Sequence, residues 1–182
     1  MADADRVRWD RRYAEREPVP SGDIALPAVF RPFIDHFPTA GRAVELACGP
    51  GAAAVWLARR GLDVWACDIS PVAIAQGKRL AEHAGQAECC EFQVVDLDDG
   101  LPAGVPADVL LCNKFRDPRL DGDIIGRLAV GGILAISVLS EVGASPGPFR
   151  ARRGELLQAF SALDVIGAGE ADGDAWLLGR RL

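Results

Sequence analysis

Lysine is nearly missing from this sequence: of its 20 basic residues only Lys78 and Lys114 are not arginine, and 26 acidic residues leave a formal charge of −6. No basic block offsets that charge, so a surface that neutralises a phosphate backbone is not expected, and no nucleic-acid partner with it. The arginine and alanine bias itself carries no functional reading. Histidine is almost absent too. His36 and His83 each lack a Cys, His or carboxylate at metal-ligand spacing, so no metal site is expected. Long apolar runs are missing: nothing approaches the ~18 residues of a membrane span, and the opening Met1-Ala2-Asp3-Ala4-Asp5-Arg6 has no apolar leader segment. The expectation is a cytoplasmic protein with no membrane partner. The cysteines Cys48, Cys67, Cys89, Cys90 and Cys112 are odd in number and form no C-x-x-C, which reads as reduced core thiols. No G-x-S-x-G elbow is present either, and that removes the serine hydrolases.

What is present suits one folded domain. The 182 residues are 49% hydrophobic and 25% charged, and a chain of this size removes roughly 70% of its unfolded surface from water without disulfides. The expected organisation is a single domain over 1–182, with an N-terminal helical cap over 1–40 and a core over 41–182. Helices are expected at 5–17 and 27–37, stopped by Pro18 and Pro38. From Ala43 short apolar runs alternate with helical stretches: 43–47, 62–67, 92–95, 108–112 and 133–139. Ser70, Pro71 and Gly85 punctuate one of the intervening helices; Gly77 inside it, at a cost of about 1 kcal/mol, reads either as close packing or as mere tolerance, with tolerance preferred. Two last strands at about 163–168 and 175–180 flank the turn 170–174. This is an α/β pattern, a mostly parallel open sheet with one antiparallel strand and helices on both faces.

Ligands of such sheets bind at the carboxyl ends of the strands. The first edge, Val44-Glu45-Leu46-Ala47-Cys48-Gly49-Pro50-Gly51, lets backbone approach a ligand before a helix begins. Gly49 to Ala54 also satisfies the G-x-G-x-x-A dinucleotide pattern, which keeps an NAD-linked oxidoreductase among the alternatives. Glu45 separates the two, because a carboxylate at the mouth of the loop repels a pyrophosphate and attracts ammonium and sulfonium charge. Asp68 after the second strand is placed to accept from both ribose hydroxyls. Asp96 after the third is placed to accept from an adenine amino group, with Ile69 and Leu97 sandwiching the ring. Each acid taken singly has the alternative of starting a turn or capping a helix.

Through Val44 to Gly51, Cys67-Asp68-Ile69-Ser70-Pro71 and Val95-Asp96-Leu97 the sequence resembles the class I S-adenosylmethionine-dependent methyltransferases. The resemblance implies a Rossmann-like seven-stranded sheet in the order 3-2-1-4-5-7-6. It also implies S-adenosylmethionine as cofactor, S-adenosylhomocysteine as product, and a cofactor site of Glu45, Ala47, Cys48, Gly49, Gly51, Asp68, Ile69, Asp96 and Leu97, with Asn113 after the fourth strand. Trp9-Asp10-Arg11-Arg12-Tyr13 and Gly154-Glu155-Leu156-Leu157 look similar to the small-molecule branch containing the tellurite-resistance and thiopurine methyltransferases. In that branch an early helix folds over the cofactor, so Trp9 and Tyr13 are either lid residues or aromatic staples packing the cap.

The expected partner is a small-molecule methyl acceptor. There is no N-P-P-Y-like motif and no Pro-Cys nucleophile, which removes two nucleic-acid substrate classes. Asn113, Lys114 and Arg116 either orient an anionic acceptor or form an exposed basic loop, and 141–153 is either a second wall or an ordinary loop. Methyl transfer from a sulfonium needs alignment and exclusion of water more than a catalytic triad, so no catalytic residue is legible. A non-catalytic adenosyl-binding or protein-interaction module on the same fold is the alternative. Neither the acceptor atom nor the oligomeric state can be read from the sequence.

Overall fold

A computed structural model describes residues 2–147 and 150–182. The backbone divides into two compact units, Met1–Pro27 with Pro38–Gly100, and Ala28–Phe37 with Leu101–Leu182. The stretch expected as one cap over 1–40 is thus divided between them.

The first unit runs α1 (Ala2–Ala14), β1 (Gly41–Leu46), α2 (Ala52–Arg59), β2 (Leu62–Asp68), α3 (Pro71–His83) and β3 (Cys90–Val94). Its strands are parallel in the order β3-β2-β1, with Glu45 opposite Ala66 and Asp68 opposite Val94. The helix expected over 5–17 begins earlier and ends at Ala14. Its last turn tightens as Arg16 N–H bonds back three residues to Tyr13 O, and Pro18 keeps the residue before it out of the helical region. At α3 the expected punctuation is found: Ser70 Oγ accepts from Ala73 N–H at 3.1 Å and Pro71 opens the first turn.

Gly77 departs from the tolerance expected of it. It is required by packing and not merely tolerated. A β-carbon there would lie 2.6 Å from the Phe92 ring, and one on Gly51 would meet the same ring, also at 2.6 Å. Phe92, 4% exposed, is wedged between the turn that starts α2 and the middle of α3. Because both neighbours lack a side chain, the ring locks the turn to the helix. Gly51 also has φ 78°, a left-handed conformation that a β-carbon disfavours.

The second unit contains β4 (Ala107–Asn113), α4 (Asp121–Arg127), β5 (Leu128–Ser140), β6 (Arg150–Ala151), α5 (Glu155–Ala159), β7 (Asp164–Ala171) and β8 (Asp174–Arg180). Its order is β4-β5-β8-β7, with the two-residue β6 beside β5. Only β8 runs antiparallel, to both β5 and β7. With β6 set aside, each unit reproduces its part of the expected strand order. The buried run of β4 and the middle of β5 explain their unbroken apolar sequence, since strands covered on both faces show no alternation. Asp172 and Gly173, both at positive φ, turn β7 into β8.

The helix expected over 27–37 is instead a series of 3₁₀ turns, Ala28–His36, interrupted at Phe33 (φ −108°, ψ 17°). Pro32 inside it has no N–H to continue an α-helix. Phe30 and Phe33 pack on Trp176 of β8, with ring centroids 6.2 and 5.4 Å apart. Those contacts, not helix propensity, hold the segment.

Candidate functional site

The site expected at the ends of β1, β2 and β3 lies within the first unit. Cys48 N–H donates to Cys67 O at 2.9 Å, and Val95 N–H donates to Asp68 O at 3.0 Å. These bonds continue the pairing past the strands and bring the three loop starts side by side. Asp68, 5% exposed, joins two of them: Oδ2 accepts from Gly49 N–H at 2.8 Å and Oδ1 from Ser70 N–H at 2.9 Å. Burial raises its carboxyl above the ordinary aspartate value, opposed by those backbone donors, and the charge of Asp10 adds to the rise. Asp96 begins the next turn, its Oδ1 accepting from Asp98 N–H at 2.9 Å. Leu97 behind it is buried, and Ile69 is half-buried.

Glu45 does not stand at the mouth of the loop as expected from the sequence. It is 3% exposed and lies beneath the turn, where its carboxylate accepts from Ala54 N–H in the first turn of α2 while Oε2 has no partner among the described residues. The lack of alternation in β1 explains this: Ala43, Val44, Glu45 and Leu46 are all buried, as in a strand covered on both faces. The turn itself is strained at a residue other than glycine: Ala47 has φ 51°, a conformation costing about 1–2 kcal/mol for an L-residue with a β-carbon. Such strain clusters where a loop is shaped for a ligand. Cys48 is buried, and burial followed by the charges of Glu45 and Asp68 pushes its thiol up, so it stays protonated and unreactive.

Trp9 and Tyr13 reach this place from α1. Tyr13 is 8% exposed, and its hydroxyl lies 3.0 Å from where a β-carbon on Gly49 would stand. Trp9 stacks on Tyr13 at 5.7 Å, and the Arg12 guanidinium lies 5.1 Å from the indole. Gln76 Nε2 donates to Tyr13 O at 3.0 Å. Asp10 has no role assigned from the sequence alone. Its Oδ1 accepts from Ser70 Oγ at 2.5 Å and from Val72 N–H at 3.4 Å, so α1 is latched onto the start of α3. The spacing of Trp9, Asp10 and Tyr13 was the available signal. A cleft of about 760 Å³ in this unit runs from Pro50 of the glycine turn past Ala75 and Gln76 of α3 to Val19.

The residues expected at an acceptor wall belong to the second unit. Asn113 Oδ1 accepts from Ser137 Oγ at 2.5 Å. Arg116 is no exposed anion-binding cation: its side chain is 6% exposed, bonds both oxygens of Asp121 at 2.5 and 2.9 Å, and meets Glu155 at 2.9 Å. Lys114, at φ 60°, pairs with Asp174. Both cations are matched by carboxylates of the same unit. Of the segment 141–153, residues 148 and 149 lie outside the described residues. The rest is tied down by Glu141 N–H to Ala151 O at 3.0 Å and by Arg150 Nη1 to Ser140 O at 2.6 Å.

Residues 43–121, from β1 into α4, match the family described as "Methyltransferase domain". The match takes in the strand ends and turns that carry Glu45, Asp68 and Asp96. Over 129 residues the chain is 33% identical to a demethylmenaquinone methyltransferase of Beutenbergia cavernae, an alignment covering 65% of this chain and 48% of that protein. The chain therefore spans about half the length of that relative. Among solved structures, TehB from Haemophilus influenzae superposes with a TM-score of 0.69 at 19% identity, covering 78% of this chain and 57% of its own. A geranyl diphosphate C-methyltransferase from Streptomyces coelicolor A3(2), in complex with Mg2+, geranyl-S-thiolodiphosphate and S-adenosyl-L-homocysteine, superposes at 0.74 with 14% identity over 100% of this chain and 98% of its own. At these identities the likeness establishes the fold alone, a mostly parallel α/β sheet with one antiparallel strand. Among the described residues, no helix is long and apolar enough to cross a membrane.

Proposed function

We propose that the protein binds S-adenosylmethionine at the glycine turn of its first unit and passes the methyl group to a small-molecule acceptor, leaving S-adenosylhomocysteine. The observation that carries this reading is the buried Oε2 of Glu45, which lacks a partner beneath a turn flanked by the further carboxylates of Asp68 and Asp96. A cation pairs with the ionised form of that carboxyl, whereas a diphosphate is repelled by the ionised form. Glu45 and the Gly49 to Gly51 backbone then hold the methionine part. Asp68 takes the ribose hydroxyls with lone pairs not used by Gly49 and Ser70. Asp96, Ile69 and Leu97 take the adenine, while Ala47, Cys48 and Gly51 shape the turn and Trp9 and Tyr13 close over it.

When bound, the sulfonium supplies an already activated methyl group. What remains for this chain is to align, neutralise and keep water away. The Asp10–Ser70 bond and the Tyr13 ring over Gly49 supply the last of these once α1 is down. A thiol or heavier chalcogen acceptor needs little help from a base near neutral pH.

Thermal unfolding with S-adenosylmethionine, S-adenosylhomocysteine and NAD tests the reading. At one hundred times its Kd a ligand adds about 2.7 kcal/mol, which for a chain of this length is a rise of roughly 5–10 °C. Both adenosyl compounds are expected to give it and NAD is not. Stabilisation by NAD alone overturns the reading. Release of S-adenosylhomocysteine with a panel of small thiols, amines and hydroxyl compounds then separates an enzyme from a binding module.

A further inference from the structure

Glu45 poses a problem that the empty protein must solve by itself. One of its oxygens is buried without a partner, and the other accepts a single N–H, from Ala54 on α2. The ionisable groups that face it are neutral or negative: Cys48 after β1, Asp68 at the end of β2 and Cys90 on β3. Behind Asp68 stands Asp10 of α1, and behind Cys48 stand Cys67 of β2 and Tyr13 of α1. The cations of α1 near this place, Arg12 and Arg16, act on the Tyr13 phenol, and among the described residues none pairs with Glu45. A carboxylate so placed neutralises in preference to standing charged and unpaired.

We infer that Glu45 holds a proton in the empty protein and gives it up when the cationic part of the adenosyl ligand enters, so that loading releases one proton. The proton and the ligand's positive charge are alternative occupants of the same lone pairs. This rests on the adenosyl reading above and adds its regulation: the site loads more tightly in a more alkaline medium. Burial pushes the Glu45 carboxyl up to about 8, with the Ala54 N–H opposing and the Asp68 charge reinforcing. Below that pH the empty site keeps its proton. A cation lowers the value, so affinity rises by up to about tenfold per pH unit until about pH 8 and then levels off.

The resting proton is tested without ligand. A carboxyl whose folded value lies above its unfolded one holds more protons when folded, so its contribution to stability falls as pH rises from about 4.5 to about 8. Thermal unfolding of wild type and Glu45→Gln should therefore diverge in favour of the variant across that window and run parallel beyond it. Parallel curves throughout overturn the inference. If the variant does not fold, wild-type protein labelled with ¹³C-carboxyl glutamate should show a resonance with a midpoint near pH 8 that shifts to its ionised position on adding S-adenosylmethionine. Absence of any glutamate titrating above pH 6 overturns the inference equally.

The exchange is tested by calorimetry of S-adenosylmethionine binding at pH 7 in two buffers of different ionisation enthalpy. Release of close to one proton by wild type and almost none by Glu45→Gln is expected. Binding with no net proton transfer, or with the same transfer in both proteins, overturns the exchange. If the unfolding curves diverge as expected but the ligand binds neither protein, the adenosyl reading fails while the resting proton stands.

Discussion

Replacing Gly77 with alanine is expected to lower stability by about 1–3 kcal/mol, the usual result of forcing a methyl group into a filled core. Helix propensity alone gives the opposite sign, a gain of about 1 kcal/mol. The two effects are separable because the obstacle is a single ring: the Phe92 edge lies 2.6 Å from the new β-carbon. Phe92→Ala should cost about 3–5 kcal/mol on its own. In that background Gly77→Ala has nothing to collide with and should become neutral or stabilising. A double-mutant cycle from urea unfolding is thus expected to give a coupling of about 1–4 kcal/mol. Simple additivity would mean that the ring does not lock the glycine turn to α3.

Asp68→Ala should damage two properties at once, and the second distinguishes a ligand contact from a structural brace. In the protein itself the substitution leaves the Gly49 and Ser70 N–H groups without acceptors, at about 1–3 kcal/mol each for buried donors. Affinity for S-adenosylmethionine should fall by a further ~1.5–3 kcal/mol, the scale of hydrogen bonds to a charged group. Asp68→Asn, which keeps one carbonyl oxygen, should recover part of the stability and less of the affinity. Calorimetric titration well below each variant's unfolding temperature separates the effects. Loss of stability with unaltered affinity would assign Asp68 to bracing alone.

Much of this was legible in the sequence because the chemistry is local. The cap at Ser70, the proline at Pro71 and the acids at the ends of β2 and β3 depend on neighbours a few residues away, and the structure has them where the pattern put them. Contacts across sequence were not legible. Gly77 and Phe92 lie on different elements, and so do Asp10 and Ser70. Nothing in either stretch announces its partner. Glu45 was placed in the right strand but at the wrong depth, because one carboxylate in an apolar run reads as an exposed exception until the helix packed against it is known. Lys114 and Arg116 read as available charge for the same reason: Asp174, Asp121 and Glu155, which occupy them, come from later elements. The 3₁₀ stretch 28–36 reads as a helix when Pro38 is taken as its stop and Pro32 inside it is given no weight.

The latch between Asp10 and Ser70 turns the first helix into a door with its own closing spring. A ligand held on the glycine turn, as proposed, lies under Tyr13 for as long as that bond is made. Residence time is therefore governed by the door as much as by the guest's own contacts, and rinsing the protein free of a nucleoside should be slow. Denaturing mass spectrometry of protein taken straight from cells should find adenosyl compounds that outlast gel filtration, and Asp10→Ala should shed them sooner.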